Sequence, residues 1–340
     1  MPTLWGENLS KREFLKRVGN VTQVGGLRRV RLLGGVEDNL EVIELRTGAG
    51  FDLDILASRG LDLGAARFNS QPISWLSSAG FAHPGLNESQ PESFVRAFGG
   101  GLLTTCGLSN VGNPNLDEGV QHFQHGRASS TPAYEVAAWG QWIGEDYSMT
   151  VHGKTREAVL YGEKLEKTRT IRAKLGEAKV ELEDVIENIG SQPAALMILY
   201  HMNFGWSLIA PGSSLTAPSA KCTVKLGAGE DWDTFPAPDP NYAVSVIEHE
   251  MTPDPDGWVR LGINSPNVHL DIAYGQALNR FTQWQQFGTG DYVLGLEPGN
   301  VGVQGRATDR AAGRLPMLEP GETRTFRLEI SVRGQNGVIP

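Results

Sequence analysis

An all-β, antiparallel architecture with one short N-terminal helix is what the sequence predicts, on three observations. The 340 residues include 42 glycines and 19 prolines, a high density of turn formers. Many short runs alternate apolar and polar residues with the period of a half-buried strand. One longer run, PAALMILYHMNFGW, is almost continuously apolar, as a central strand covered on both faces would be, although its periodicity also fits a short buried helix.

In chain order, Ser10 and Glu13 have capping-box spacing, and Phe14, Leu15 and Val18 can share one face of a short helix that edges a sheet. FDLDILASRG alternates Phe51, Leu53 and Ile55 against Asp52 and Asp54, a strand that delivers Arg59 into a turn. From Phe81 to Gly126 the chain is rich in Gly, Asn, Pro and Ser, so loops and short strands at sheet ends are expected there. Two alternating runs flank Gly176 as hairpin arms. Val180 and Leu182 should face the core, with Thr168, Thr170, Arg172, Lys174, Glu181 and Glu183 on the outer face. The Pro/Asp clusters DTFPAPDPNY and TPDPDG read as exposed loops, and no linker or repeat divides the chain, so a single domain over 1–340 is expected.

The formal charge of −9 opposes binding to nucleic acid or an anionic membrane. Cys106 and Cys222 lie far apart and outside any C-x-x-C spacing, which points to free thiols and no thiolate zinc site. The N-terminus lacks an apolar stretch of signal-peptide length, and no stretch of about 18 apolar residues occurs anywhere, so a cytoplasmic protein is expected. Its oligomeric state is open and compatible with a homo-oligomer.

Three segments place titratable groups beside turn residues at strand ends: HFQHGR, LYHMNFGW and LGLEPGN. Glu297 follows an apolar stretch. If buried there it is costly to desolvate and its pKa rises toward that of a useful base, yet a glutamate accepting backbone hydrogen bonds in a loop fits equally well. His201 ends the apolar run, where an imidazole can transfer protons near neutral pH or serve as a structural hydrogen-bonder. His125 begins the HGR turn, where Gly126 permits close approach and Arg127 offers a planar donor fork, or the turn is simply a surface one. His122 and His125 have H-x-x-H spacing without helical periodicity or the H-E-x-x-H glutamate, and no metal site is expected. Among the eight tryptophans, Trp75, Trp139, Trp142, Trp206 and Trp284 could stack on pyranose rings or fill core and rim. Neither nucleotide-binding glycine motifs nor G-x-S-x-G occur.

In their order these pieces resemble the galactose mutarotase (aldose 1-epimerase) family, and in particular its branch DUF4432. In that family a V-x-N-x-G-x-x-P stretch leads into H-x-Y-F-N; here Asn188, Gly190, Pro193, His201, Asn203 and Phe204 stand similarly. The family's L-E-P-Q is resembled by LEPGN with Glu297, its H-G turn by His125 and Gly126, its sugar-contacting arginine by Arg59, and its L-x-P-G-E by LEPGETRTFRLEISV. Arg127 stands where the family has a second glycine, and the family's D-H element is echoed by Glu248 and His249.

The resemblance implies a large antiparallel β-sandwich, the galactose mutarotase-like supersandwich, acting on a small carbohydrate. It implies anomer interconversion without metal or organic cofactor, Glu297 as base and His201 as acid on opposite sides of the ring, with His125 and Arg59 orienting it. Asn203 and Trp206 join the expected substrate contacts, while Arg127 and Arg306 could read a carboxylate, sulfonate or phosphate on an acidic sugar. Another epimerase, isomerase or lyase on a modified sugar, or a noncatalytic sugar-binding protein, would use the same scaffold.

Overall fold

The computed structural model describes residues 1–86, 90–91, 93–228 and 231–335. Residues 87–89 and 92 of the loop-rich segment therefore lie outside the described residues.

Three large antiparallel sheets, with three two-stranded ribbons beside them, organise the described residues. The largest has eight strands, in the spatial order Tyr134–Ile143, Asp146–Ala158, Lys164–Lys174, Lys179–Asn188, Thr323–Gly334, Val268–Gly275, Trp258–Asn264 and Ser214–Thr216. A six-stranded sheet runs Ser219–Leu226, Ser245–Met251, Arg280–Phe287, Tyr292–Gly299, Met197–Gly205 and Thr104–Leu108. A five-stranded sheet begins with Gly26–Arg31, Glu41–Arg46, Phe51–Leu56 and Asp62–Phe68. Their apolar faces meet in one core, to which Ile43 and Ile55, Ile171 and Leu328, and Met202 and Leu296 all contribute.

Strict alternation explains the hairpin around Gly176. Val180 and Leu182 are buried and Glu181 is exposed, while Thr168, Thr170 and Arg172 lie on the outer side of the partner strand. The near-continuous apolar run forms the strand Met197–Gly205, which is buried along its whole length. Its even-numbered residues Ile198, Tyr200, Met202 and Phe204 enter the main core. Met197 and Leu199 point the other way, into a smaller cluster with Cys106, Val111 and Val301. His201 and Asn203 continue that second face, and the site is built where the apolar cover gives out.

The N-terminal helix is Lys11–Arg17, capped by Ser10, whose Oγ accepts from the Glu13 N–H at 3.2 Å. Only half of a capping box forms, because the Glu13 carboxylate turns to Lys16 Nζ at 2.8 Å. Phe14 is buried against Leu4, Leu9 and Leu175 with Val18 beside it, whereas Leu15 is exposed, so the apolar face is narrower than its spacing suggests. Among the described residues no helix is long and apolar enough to cross a membrane.

Candidate functional site

Sheet register, rather than sequence proximity, creates the centre of the site. Leu199 pairs with Gly299 and Met202 with Leu296, which sets His201 directly opposite Glu297 on adjacent antiparallel strands. His201 Nε2 and Glu297 Oε1 lie 3.0 Å apart, and both side chains are almost fully buried. The next strand pairs Thr282 with Glu297 and Trp284 with Gly295, adding two more side chains to the same face. Gly295 leaves that face open, since a Cβ there would stand 2.9 Å from Glu297 Oε1 and 3.1 Å from the Trp284 side chain.

These residues line a cleft of about 490 Å³. His125 reaches it from the HGR turn, its ring centroid 5.9 Å from that of His201. The turn holds His125 in the left-handed region at φ 54°, pinned by its N–H to Gly112 O at 2.9 Å and its carbonyl from Gly107 N–H at 2.8 Å. Backbone in that region is uncommon outside glycine and often marks a functional position. Gly126 serves the protein's own packing. A Cβ there would lie 2.3 Å from Gly107 O, so the close approach that demands glycine is to backbone.

Aromatic rings wall the cleft. Phe98 meets His201 edge-on at 5.1 Å, Trp284 does so at 5.5 Å, and Phe94 packs on His125 at 4.7 Å. Phe94 and Phe98 stack on each other at 4.9 Å. Both come from the SFVRAF segment at the short helix Phe94–Ala97, inside the stretch that reads as irregular loop. Their i, i+4 spacing, like the alternation of Thr282 and Trp284 in RFTQWQQF, is the signal that could have singled them out.

Burial dominates the electrostatics. It pushes the Glu297 carboxyl up to about 8, with no charged group among the described residues offsetting it. It lowers His201 to about 3, with His125 adding to the effect, and lowers His125 to about 4. Burial thus favours the neutral form of each group, a carboxylic acid and an uncharged imidazole, whereas the resemblance implies a carboxylate base and an imidazolium acid. The two descriptions contain the same number of protons. They differ in where one proton sits across the 3.0 Å contact. Nor do the two groups face each other across an open space: they are side-by-side neighbours on one sheet face.

The other expected substrate contacts are dispersed. Arg59 is buried outside the cleft, because its guanidinium donates to the carbonyls of Ala82 and Ala97, the latter at 3.0 Å, and lines an adjoining cavity. Arg127 is exposed and borders that same cavity. Arg306 is consumed by ion pairs with Asp117 at 2.8 Å and Glu163 at 2.6 Å, so it ties the helix Arg306–Ala311 to the hairpins and leaves no fork for a substrate anion. Trp206 lies just past the strand end, 71% exposed, beside a different groove next to Trp75. Asn203 shares the face of His201, yet its amide donates to Gly101 O and His201 O and shapes the strand end from within.

His122 borders a groove separate from that of His125. Among the described residues no three His, Cys, Asp or Glu side chains converge as metal ligands. Glu248 pairs with Lys225 at 3.1 Å, and His249 is held by Ser219 Oγ and Gln283 Oε1, both in a neighbouring groove.

Comparison with known proteins agrees with this architecture. No functionally curated protein matches the chain. Among solved structures, a candidate aldose 1-epimerase from Klebsiella pneumoniae superposes with a TM-score of 0.85 at 21% identity, over 90% of this chain and 83% of that one. A galactose mutarotase-like protein from Clostridium acetobutylicum gives 0.61 at 11% identity, over 92% and 100% of the two chains. Galactose 1-epimerase from Lactobacillus acidophilus gives 0.60 at 12%, over 91% and 98%. At these identities the likeness speaks for the fold. The model of the family described as domain of unknown function DUF4432 matches residues 37–332. The chain thus belongs to the DUF4432 family and has the galactose mutarotase-like β fold.

Proposed function

We propose that this protein is an isomerase of the aldose 1-epimerase type, with Glu297 and His201 as its proton-transferring pair. The observation that carries the reading is their 3.0 Å contact on the floor of an aromatic-walled cleft. Opening a pyranose removes a proton from the C1 hydroxyl and delivers one to the ring oxygen. Both oxygens are bonded to the same carbon, so two neighbouring groups that share one proton match them better than groups placed far apart.

In the forward direction one member of the pair gives the shared proton to the ring oxygen as the C1–O bond to it breaks. The other member accepts the proton of the C1 hydroxyl, leaving the open-chain aldehyde. Rotation about C1–C2 and the reverse transfers close the ring with C1 inverted, and the pair regains its starting proton count. His125, neutral and 5.9 Å from His201 between ring centroids, is the positioned donor for a sugar oxygen. Trp284 and Phe98 offer the apolar surfaces on which a pyranose face rests.

The test is NMR exchange spectroscopy between sugar anomers, with Glu297→Gln and His201→Asn compared against the wild type. Each substitution should lower the catalysed exchange by about 100-fold or more with the fold intact by circular dichroism. Exchange that stays at the wild-type rate in both variants overturns the assignment.

A further inference from the structure

Beside the cleft lies a second cavity of about 260 Å³, sharing Phe94 and Gln124 as walls with it. Two arginines, Arg59 and Arg127, line it together with Ser93, Ser129 and Gln124, and among the described residues no carboxylate lines it. This is an unusual composition on a chain of net charge −9. Arg59 is only 5% exposed. Among the described residues it has no ion-pair partner: its protein acceptors are two backbone carbonyls, and its remaining N–H groups have none. The charge that reaches it is Asp62, whose oxygens are already taken by Arg169 and Thr105. A buried guanidinium without a counter-ion is costly, and an incoming oxyanion repays that cost through charge-assisted, forked hydrogen bonds.

The groove on the other side of the cleft makes the contrast. It also holds basic groups, but Lys225 is paired with Glu248 at 3.1 Å and Arg314 with Asp309 at 3.1 Å, while the third, Arg280, shares the groove with the Glu250 carboxylate. Two of its three basic groups are thus neutralised by ion pairs, and it carries carboxylates where the first cavity shows none among the described residues.

We infer that the cavity between Arg59 and Arg127 is an oxyanion subsite, and that the sugar handled in the adjoining cleft carries a carboxylate, phosphate or sulfonate. The substrate part of this inference rests on the aldose 1-epimerase reading; the anion site does not. Calorimetric titration with glucuronate, glucose 6-phosphate, neutral glucose and inorganic phosphate tests it, using wild type, Arg127→Ala, Arg59→Lys, Arg280→Gln and Glu297→Gln.

At least one acidic sugar should bind more tightly than glucose, and inorganic phosphate should displace it. Arg127→Ala should lower the acidic-to-neutral affinity ratio about tenfold or more. Arg127 is exposed, so its loss leaves the fold intact, and Arg59→Lys keeps the buried charge while removing the fork. Glu297→Gln should retain anion binding. If it also keeps anomer exchange, the proposed function fails while the anion site stands. An unchanged affinity ratio in both Arg127→Ala and Arg59→Lys, a loss confined to Arg280→Gln, or phosphate that binds without displacing any acidic sugar overturns the inference.

Discussion

Two groups of ionisable residues are buried on opposite faces of the same strand, Met197–Gly205, and they have opposite fates. On the core face, Tyr200 donates to Asp184 Oδ2 at 2.7 Å, and Asp184 receives a bidentate fork from Arg169 at 2.8 and 2.6 Å. Arg169 also reaches Asp62 at 3.1 Å and Thr105 Oγ1 at 2.8 Å, while Lys167 Nζ donates to Gly60 O at 3.0 Å. On the outer face, His201 and Glu297 have each other, and His201 Nδ1 has no partner among the described residues.

Burial is equally severe in both places. In the core, burial alone would raise Asp184, but Arg169 and Lys167 overcome it and hold the carboxylate below its ordinary range. At Glu297 nothing opposes burial, and the carboxyl rises to about 8. A counter-charge, rather than depth, separates a structural carboxylate from a reactive one. The structural cluster also serves the site's surroundings: Lys167 and Arg169 clamp Gly60, Leu61 and Asp62, the turn that carries Arg59.

Breaking the core cluster should have the largest effect. Arg169→Met strands Asp184 as an uncompensated buried charge and should cost about 3–5 kcal/mol in chemical denaturation; a loss below about 1 kcal/mol would mean that the ion pair does not hold the carboxylate as described.

The pH dependence of stability sharpens the contrast next. The folded-state pKa of Glu297 is raised from 4.5 to about 8. Between those values the folded state binds the extra proton, so the contribution of Glu297 is fully present below pH 4.5 and is lost as pH rises through about 8. His201 works in the other direction, with a folded value near 3 against 6.5, costing stability as pH falls through that window. Stability of the wild type relative to Glu297→Gln should therefore decline by a few kcal/mol from pH 4.5 to 8 and flatten above it. Parallel denaturant midpoints for the two proteins across that range would contradict the assigned burial.

The smallest effect belongs to the cleft wall. Phe98→Ala admits water beside the His201–Glu297 pair, and the Glu297 carboxyl should titrate closer to its ordinary 4.5 by carbon-13 NMR, with the core cluster untouched. A titration still centred near 8 would show that Phe98 is not part of what keeps water away.

Much of this organisation is legible in one dimension. The alternation of Lys179–Asn188 names its buried side chains, and the unbroken apolar run before His201 marks a fully buried element, which the structure resolves as a strand rather than a short helix. What the arginines do is not legible in that way. Arg59, Arg127 and Arg306 look alike as donors beside turns, yet Arg306 is neutralised by Asp117 and Glu163, residues far away in the chain, while among the described residues Arg59 donates to backbone carbonyls alone. Lys167 and Arg169 escape a sequence reading for a related reason. They occupy core-facing positions of an alternating strand where apolar residues are expected; Asp62 and Asp184 make Arg169 tolerable there, and the Gly60 carbonyl accepts from Lys167.

By itself, then, the sequence determined the strands, their inner and outer faces, and the residues at their polar ends, because side-chain direction along a strand follows from a period of two. The tertiary structure decided that His201 stands opposite Glu297, that Phe98 packs on His201 and Phe94 on His125, and which cations are neutralised by ion pairs. Those outcomes depend on pairing between distant segments, and local periodicity does not specify which segment pairs with which.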